Sequence, residues 1–176
     1  MGKTNKTLKC IWLTGLSGSG KTTLAKELKK KLDKENITTV VLDGDILRNG
    51  LNKDLGYTEE ARKENVRRAA EIAKIILNSG VMVISAFMSP TKEIRNMLRD
   101  ILGDYYFEVF VDTSLEMCIQ RDVKGLYKKA LKGEIKNVSG IDAPFEIPVS
   151  PNVVVSTEST SAEIGAKMIL DQIICK

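Results

Sequence analysis

The chain has 176 residues, of which 43% are hydrophobic and 28% are charged, and its formal net charge is +4. This length and composition are typical of a globular protein with one substantial hydrophobic core, and they exclude a disordered chain. The positive charge is too weak to predict nucleic-acid binding by itself, and no apolar run approaches the length needed to cross a membrane. We therefore expect a single domain over residues 1–176, with neither nucleic acid nor a membrane as a partner.

The histidine and cysteine content excludes several kinds of site. The chain has no histidine, so a Ser–His or Cys–His nucleophile and a histidine-ligated metal are both excluded. Its cysteines, Cys10, Cys118 and Cys175, are far apart and form no Cys-x-x-Cys pair. Such spacing is typical of a reducing compartment and not of a disulfide framework or a zinc site. Because the N-terminus also lacks a signal-peptide pattern, the expected location is cytoplasmic.

The first predicted strand is followed by a glycine-rich loop and then by a predicted helix. Residues 15–22 match the pattern GxxxxGK[ST] at every fixed position. In such a loop, backbone N–H groups and the positive end of the helix dipole bind phosphate oxygens. Lys21 would reach the outer phosphates, and the Thr22 hydroxyl would bind the accompanying magnesium. A glycine-rich turn with a surface lysine is the alternative, but the flanking strand and helix favour nucleotide binding.

Two acids follow the second predicted strand. Asp43 and Asp45 flank a glycine, and Arg48 comes three residues later. Ligands bind beyond the carboxyl ends of the strands in open parallel sheets, so we expect both acids to face the site. There they can hold magnesium through water or accept a proton from an attacking hydroxyl. The pattern does not divide these roles between the two acids, and a turn in which Asp45 caps a short helix is the alternative.

The next predicted helix has polar residues at one end of its apolar stripe. The stripe consists of Val66, Ala69, Ala73 and Ile76. Arg62 and Asn65 lie at the N-terminal end of this inward face, which indicates a pocket near the edge of the sheet. Arginine suits phosphate or sulfate because its planar fork donates paired hydrogen bonds. A surface salt bridge of Arg62 with Glu59 or Glu64 is the alternative.

The third and fourth predicted strands are each followed by a helix start signal. Ser89 comes just before a predicted helix, and its simplest role is the N-cap of that helix, with ligand binding or phosphoryl acceptance as alternatives. Thr113 and Glu116 have the spacing of a capping box at the start of the following helix. There the structural interpretation is favoured.

Residues 121–151 form the one irregular stretch, with most of the prolines and a basic run over 121–129. A loop of this length inside a compact domain is more often functional than not. A mobile cationic lid can close over a polyphosphate, exclude water and stabilise the charge of the transferred group. We therefore predict a lid over 121–151, with a solvated basic helix as the alternative.

Short apolar segments alternate along the whole chain with segments of helical periodicity. Strands are predicted at 9–14, 38–42, 81–87, 107–111 and 152–156, and helices at 21–34, 58–78, 91–102, 115–120 and 161–174. This alternation predicts an α/β fold, a three-layer sandwich of the P-loop NTPase type with a five-stranded parallel sheet and helices on both faces.

Six sequence blocks resemble the adenylylsulfate kinase (APS kinase) family. They are GLSGSGKTT at 15–23, DGDILRNGLNKDLGYT at 43–58, ARKENVRR at 61–68, ISAFMSP at 84–90, EVFVDTSLEMC at 108–118 and RDVKGLYKKALKGEIKNVSGIDAPFE at 121–146. The resemblance implies a kinase that uses ATP and Mg²⁺ to phosphorylate the ribose 3′-hydroxyl of adenosine 5′-phosphosulfate (APS). The products would be PAPS and ADP, in sulfate activation. It also implies a homodimer.

The resemblance further implies roles for individual residues. ATP would contact Gly15, Leu16, Ser17, Gly18, Ser19, Gly20, Lys21, Thr22, Thr23 and Arg121, with Thr22 at the metal. APS would contact Asp45, Arg48, Tyr57, Arg62, Asn65, Ser89, Lys124 and Phe145, of which Tyr57 and Phe145 would flank its adenine. The catalytic set would be Lys21, Asp43, Asp45 and Ser89. Ser89 matches the family's phosphoserine position, but we expect direct in-line transfer, since no histidine is present to activate its hydroxyl.

Two other functions are compatible with the phosphate loop. One is a kinase for another small metabolite or a nucleoside, on the same scaffold. The other is a nucleotide-dependent binding protein that no longer transfers phosphate. Assays with different acceptors distinguish the first from an APS kinase, and substitution of Lys21 addresses the second.

Overall fold

Helices cover both faces of a five-stranded sheet in the computed structural model, which describes residues 8–174. The strands are β1 (Cys10–Thr14), β2 (Thr39–Asp43), β3 (Met82–Ala86), β4 (Tyr106–Asp112) and β5 (Val153–Ser156). Their order in the sheet is β2-β3-β1-β4-β5, and every neighbouring pair is parallel. The predicted parallel α/β sheet is confirmed.

Seven α-helices connect or flank the strands in the described part of the chain. They are α1 (Lys21–Lys34), α2 (Gly44–Arg48), α3 (Glu59–Asn78), α4 (Lys92–Leu102), α5 (Leu115–Arg121), α6 (Leu126–Leu131) and α7 (Ala162–Ile174), with a 3₁₀ turn at Gly103–Tyr105. The sequence analysis considered a short helix at Asp45 and a basic helix within 121–151 only as alternatives, and it missed the 3₁₀ turn. Each is too short to display a helical hydrophobic period. None of the helices within residues 8–174 is both long and apolar enough to span a bilayer.

The central strand β1 explains how the two faces are packed. All five of its residues are buried, as expected of a parallel strand covered on both sides. Ile11 and Leu13 join the core formed with α1 and α7, whereas Cys10 and Trp12 join the core formed with α3 and α4. Alternate side chains of one strand therefore connect the sheet to two separate helical layers.

The carboxyl ends of the strands meet at one edge of the sheet. Thr14 pairs with Phe110, Asp43 with Ala86, and Asp112 with Ser156. The loops after the strands therefore converge there, as in other open parallel sheets.

The predicted irregular stretch 121–151 is more ordered than expected. It contains α6 and contributes Tyr127 and Val138 to a third hydrophobic cluster, which also includes Leu16 of the glycine-rich loop and Cys118 of α5. The segment therefore packs against that loop through its own small core. Cys10 and Cys118 are free and buried, and Cys175 lies outside the described residues.

Candidate active site

A cleft of about 350 Å³ opens at the carboxyl edge of the sheet. Its walls come from the loop after β1, the acids after β2, the start of α3, the turn after β3 and the segment 122–127. It brings together these predicted site residues: Ser17, Gly18, Gly20, Lys21, Thr22, Thr23, Asp43, Asp45, Arg48, Tyr57, Arg62, Asn65 and Lys124. Residues as far apart in the chain as Ser17 and Lys124 thus share one cavity.

The glycine-rich loop is closely packed against the sheet. A side chain at Gly15 would place its Cβ 2.6 Å from the carbonyl oxygen of Val111, so only glycine fits there. Gly18 and Gly20 have φ of 78° and 96°, in the left-handed region that favours glycine. These conformations let the chain curl around the cleft before it enters α1.

Lys21 folds back over the glycine-rich loop. Its Nζ donates hydrogen bonds to the carbonyl oxygens of Gly15, at 2.8 Å, and Leu16, at 2.6 Å. Burial and, to a smaller extent, repulsion by Lys124 lower the pKa of Lys21 to about 8. An anion that binds beside Lys21 would raise this pKa again, because a negative charge favours the protonated form.

The two acids after β2 have different surroundings. Asp43 is buried, and its carboxylate accepts hydrogen bonds from the Thr22 hydroxyl, at 2.8 Å, and from the Asp45 N–H, at 2.9 Å. It therefore caps α2, so the cap that the sequence analysis considered for Asp45 belongs to Asp43. Asp45 is exposed and forms an ion pair with Lys124. The structure thus separates a fixed acid from a solvent-facing one.

The Thr22 hydroxyl and the Asp43 carboxylate are suitable neighbours for magnesium. Both are hard oxygen donors, and Mg²⁺ in phosphate sites keeps several waters and needs few protein ligands. Within residues 8–174, no three acidic or thiol side chains gather into a metal site of their own. The donor set therefore fits a magnesium ion that is bound mainly through phosphate and water oxygens.

Two arginines, Arg48 of α2 and Arg62 of α3, also line the cleft. The Arg48 guanidinium lies 4.6 Å above the centroid of the Tyr57 ring. Arg62 donates hydrogen bonds to the carbonyl oxygens of Tyr57, at 3.0 Å, and Asn137, at 2.5 Å. Burial and the nearby Arg48 lower the pKa of Arg62. Neither of the acids considered as salt-bridge partners for Arg62 is paired with it, and Glu64 binds Arg67 and Arg68 instead.

Comparison with known proteins identifies the family. Residues 7–156 match the family model described as adenylylsulphate kinase. The chain is 49% identical over 166 residues to an adenylyl-sulfate kinase of Clostridium kluyveri, covering 94% of this chain and 83% of that protein. The identity to an adenylyl-sulfate kinase of Bacteroides thetaiotaomicron is also 49%, over 167 residues with the same coverage. The fold superimposes on the APS kinase of Mycobacterium tuberculosis in complex with AMPPNP and APS, with a TM-score of 0.90, 41% identity and coverage of 94% and 97% of the two chains.

The chain belongs to the adenylylsulphate kinase family. The resemblance inferred from the six sequence blocks is therefore confirmed, and so is the fold expected of a P-loop kinase. We refer to the glycine-rich loop at 15–22 as the phosphate loop; it lines part of the cleft described above, and its binding of nucleotide stays a prediction.

Ser89 of this APS kinase family member lies outside the cleft lining. It is fully buried, and its Oγ accepts a hydrogen bond from the Trp12 indole at 2.8 Å. The predicted N-cap role of Ser89 is wrong, because Thr91 caps α4 and accepts from the Ile94 N–H. This geometry gives no support to a phosphoryl-accepting Ser89, whose catalytic and APS-binding roles stay predictions.

The two aromatic residues expected to flank the APS adenine lie in different cavities. Tyr57 lines the main cleft. Phe145 lines a second cavity of about 290 Å³ and stacks on Phe110 with ring centroids 6.2 Å apart. The structure therefore does not bring this pair together. Phe145 instead packs against Phe110 and against the third hydrophobic cluster. The pairing of Tyr57 and Phe145 around adenine stays a prediction.

Arg121 contacts the phosphate loop but is likewise not part of the cleft lining. Its guanidinium donates to the Gly18 carbonyl at 3.3 Å and to the hydroxyl and carbonyl oxygens of Thr157, both at 2.9 Å.

The predicted capping box at Thr113 is wrong, because Ser114 is the N-cap of α5. The Thr113 hydroxyl instead contacts the Ser19 carbonyl of the loop.

Other residues of the cleft wall were not named as site residues from the sequence, although the last four of them lie in the predicted lid. They are Gly44, Ala86, Phe87, Met88, Asp122, Val123, Leu126 and Tyr127. Phe87 is held by stacking on Trp12, and the Asp122 carboxylate accepts hydrogen bonds from the N–H groups of Tyr127 and Lys128 in the first turn of α6. An apolar residue at the end of a buried strand gives no sign that it faces a cavity and not the core.

Proposed function

We propose that this protein transfers the γ-phosphoryl group of ATP to the ribose 3′-hydroxyl of APS. One observation carries the proposal. The same cleft contains the phosphate loop and a second group of side chains that suits an acceptor, namely an exposed acid, two arginines and an aromatic ring. A phosphate loop alone would suit many nucleotide-binding proteins. The paired arginines suit the phosphate and sulfate groups of APS, and the family relationship supports this acceptor.

Transfer would be direct and in line. The 3′-oxygen of APS bonds to the γ-phosphorus while the bond to the β,γ-bridging oxygen breaks, which releases ADP. The phosphate loop and Lys21 would stabilise the charge on the phosphoryl oxygens. Asp45 would accept the hydroxyl proton, because Asp43 is already engaged by Thr22 and by the start of α2. Magnesium, held through Thr22 and Asp43, would neutralise charge on the β- and γ-phosphates.

The assembly, compartment and domain boundaries belong to the same proposal. We propose a homodimer on the basis of the family resemblance, a single domain over 1–176, and a cytoplasmic enzyme. The free, buried Cys10 and Cys118 support a reducing environment. Sedimentation velocity of the purified protein tests the dimer, since a monomeric mass at micromolar concentration would refute it.

The activity is tested by following ADP release with APS, gluconate, shikimate and a panel of nucleosides as acceptors. We expect turnover with APS alone, dependence on Mg²⁺, and a 3′-phosphate in the product by phosphorus NMR. Turnover with another acceptor and none with APS would refute the proposal in favour of a different small-molecule kinase.

A lysine pair serves to test whether phosphate transfer is the function. Lys21→Ala should abolish turnover, whereas Lys29→Ala should retain it, because the Lys29 side chain is 40% exposed on α1 and pairs with Asp33. If Lys21→Ala supported normal cellular function, the alternative of a nucleotide-dependent binding protein would be favoured.

A further inference from the structure

Three consecutive carbonyl groups of the phosphate loop accept hydrogen bonds from side chains that lie far from it in the chain. Tyr127 donates its hydroxyl hydrogen to the Ser17 oxygen at 2.9 Å. Arg121 donates to the Gly18 oxygen at 3.3 Å. The Ser19 oxygen lies 3.2 Å from the hydroxyl of Thr113 and 3.0 Å from that of Thr157. The donors follow β4 and β5 or lie in α5 and α6, so a distant part of the chain holds this loop.

The threonine pair forms a small relay. The two hydroxyl oxygens lie 2.7 Å apart, and Thr157 also accepts from Arg121 at 2.9 Å. Because each hydroxyl carries one hydrogen, one threonine donates to Ser19 while the other donates to its neighbour. Either arrangement supplies one donor to the Ser19 oxygen, so removal of one hydroxyl leaves the other able to replace it.

Holding a carbonyl group also orients the N–H group of the same peptide unit. The peptide is planar and trans, so its C=O and N–H point in opposite directions. Side chains that fix the oxygens of Ser17 and Ser19 therefore fix the N–H groups of Gly18 and Gly20. Both glycines line the cleft, and in the described part of the chain neither N–H has a protein acceptor. These are the groups a phosphate nest needs.

We propose that Tyr127, Thr113 and Thr157 are positioning residues that preset the phosphate loop for nucleotide. They act through the loop carbonyl groups and not by contact with phosphate. Glycine-rich loops have much conformational freedom to lose, so a loop already held in the binding geometry loses less on binding. The inference rests on the proposed nucleotide site and adds residues that this site depends on.

The location of Tyr127 adds a consequence for the lid segment. Tyr127 belongs to α6 and is almost fully buried, within the cluster that contains Leu16 of the phosphate loop. The basic segment is therefore anchored to the loop at this point. A change that weakens the Tyr127 contact should affect the nucleotide and not the acceptor.

The test measures MgADP binding by calorimetry and the KM values for ATP and APS. Tyr127→Phe removes one hydroxyl and keeps the buried ring, and we expect MgADP affinity to fall about three- to tenfold, as for one lost hydrogen bond. The KM for ATP should rise by a similar factor, while the KM for APS stays within about twofold. Tyr105→Phe is the matched control, since Tyr105 directly precedes β4, at the edge of the sheet opposite to the cleft.

The threonine pair gives a second, independent test. Thr113→Val with Thr157→Val preserves shape and removes both hydroxyls, and we expect about a tenfold loss of MgADP affinity. Thr113→Ser with Thr157→Ser keeps both hydroxyls and should bind MgADP as the wild type does. A purely structural role predicts no such rescue, because serine lacks the methyl groups that pack.

The outcomes separate this inference from the proposed function. The inference would be overturned if Tyr127→Phe and the double valine variant bound MgADP with wild-type affinity. It would also be overturned if the KM values for ATP and APS rose equally and in proportion to a loss of thermal stability. Absence of MgADP binding by the wild type would refute the nucleotide site itself and the inference with it. If the wild type binds MgADP but does not turn over APS, only the acceptor is refuted, and MgADP affinity still decides the inference.

Discussion

A buried ion pair between α4 and β4 provides a test of the electrostatic reasoning. The side chains of Arg95 and Glu108 are 4% and 1% exposed, with the Arg95 Nε 3.5 Å from Glu108 Oε1. Arg95 also donates to the Ser89 carbonyl at 3.0 Å, and the other oxygen of Glu108 accepts from Arg99. Glu108 Oε1 has no hydrogen-bond partner among residues 8–174. The carboxylate is thus held largely by charge.

Glu108→Gln should destabilise the protein strongly. It removes the negative charge and leaves the Arg95 guanidinium buried without a counter-charge, which costs about 3 kcal/mol or more. For a chain of this length, such a loss lowers the melting temperature by about 6–12 °C. The reason is the cost of burying a charge, since glutamine has nearly the same volume as glutamate.

Removing both charges should cost much less than removing one. In the double variant Arg95→Met with Glu108→Leu, apolar side chains would join the surrounding core of α3 and α4. A buried ion pair replaced in this way is often neutral or more stable, so we expect a change within about 1 kcal/mol. Lys63→Ala is the control: this side chain is 46% exposed and pairs with the exposed Glu93, so its loss should cost less than about 1 kcal/mol.

Urea unfolding followed by the fluorescence of the single tryptophan, Trp12, measures these free energies of unfolding. The denaturant slope should be unchanged among the variants, so that midpoint shifts report stability. If the free energy of unfolding of Glu108→Gln lay within about 1 kcal/mol of the wild-type value, or if the double variant were as unstable as the single one, the buried Arg95 would not need its counter-charge.

Three further substitutions test the site. Ser89→Ala should keep measurable turnover, and leaving the Trp12 N–H unpaired should cost about 1–3 kcal/mol of stability; complete loss of turnover with both substrates still bound would indicate a phosphoenzyme. The affinity of the free enzyme for MgADP, measured by calorimetry, should fall as the pH rises from 7 to 9. Lys21 has a pKa of about 8, so it is protonated and attracts the nucleotide below that pH and is neutral above it. The affinity of Lys21→Met should not change over this range. Lys124→Ala should lower the melting temperature by no more than about 4 °C, because its ion pair with Asp45 is more than half exposed; a larger loss in calorimetry would show that this pair is structural.

The parts of the molecule predicted correctly are those encoded by local patterns. The buried run of β1 and the spacing from Gly15 to Thr22 lie within consecutive residues, so the phosphate loop is evident from sequence. Asp43 and Asp45 were placed at the cleft by one rule of parallel sheets. The pattern could not assign their separate surroundings, which depend on Thr22 and on Lys124.

The parts that were missed depend on partners far apart in the chain. Ser89 is held by Trp12, which is 77 positions away, and this distant partner leaves Thr91 to cap α4. Thr157 reaches Ser19 across 138 positions. Phe145 was expected to flank the APS adenine, but it stacks on Phe110 instead. Such competition between sites is decided by packing, which no local pattern records.

The cations of the cleft all have partners within the protein. Lys21 donates to the loop carbonyls, Arg62 to the Asn137 carbonyl, and Lys124 to Asp45. Under the proposed function, an anionic substrate must replace these partners, so its affinity reflects an exchange of interactions and not a simple addition. The exchange at Lys124 has a chemical consequence, because the anion that attracts this lysine also frees the Asp45 carboxylate. The proposed proton acceptor then becomes available when the acceptor hydroxyl is present, which disfavours transfer of the phosphoryl group to water.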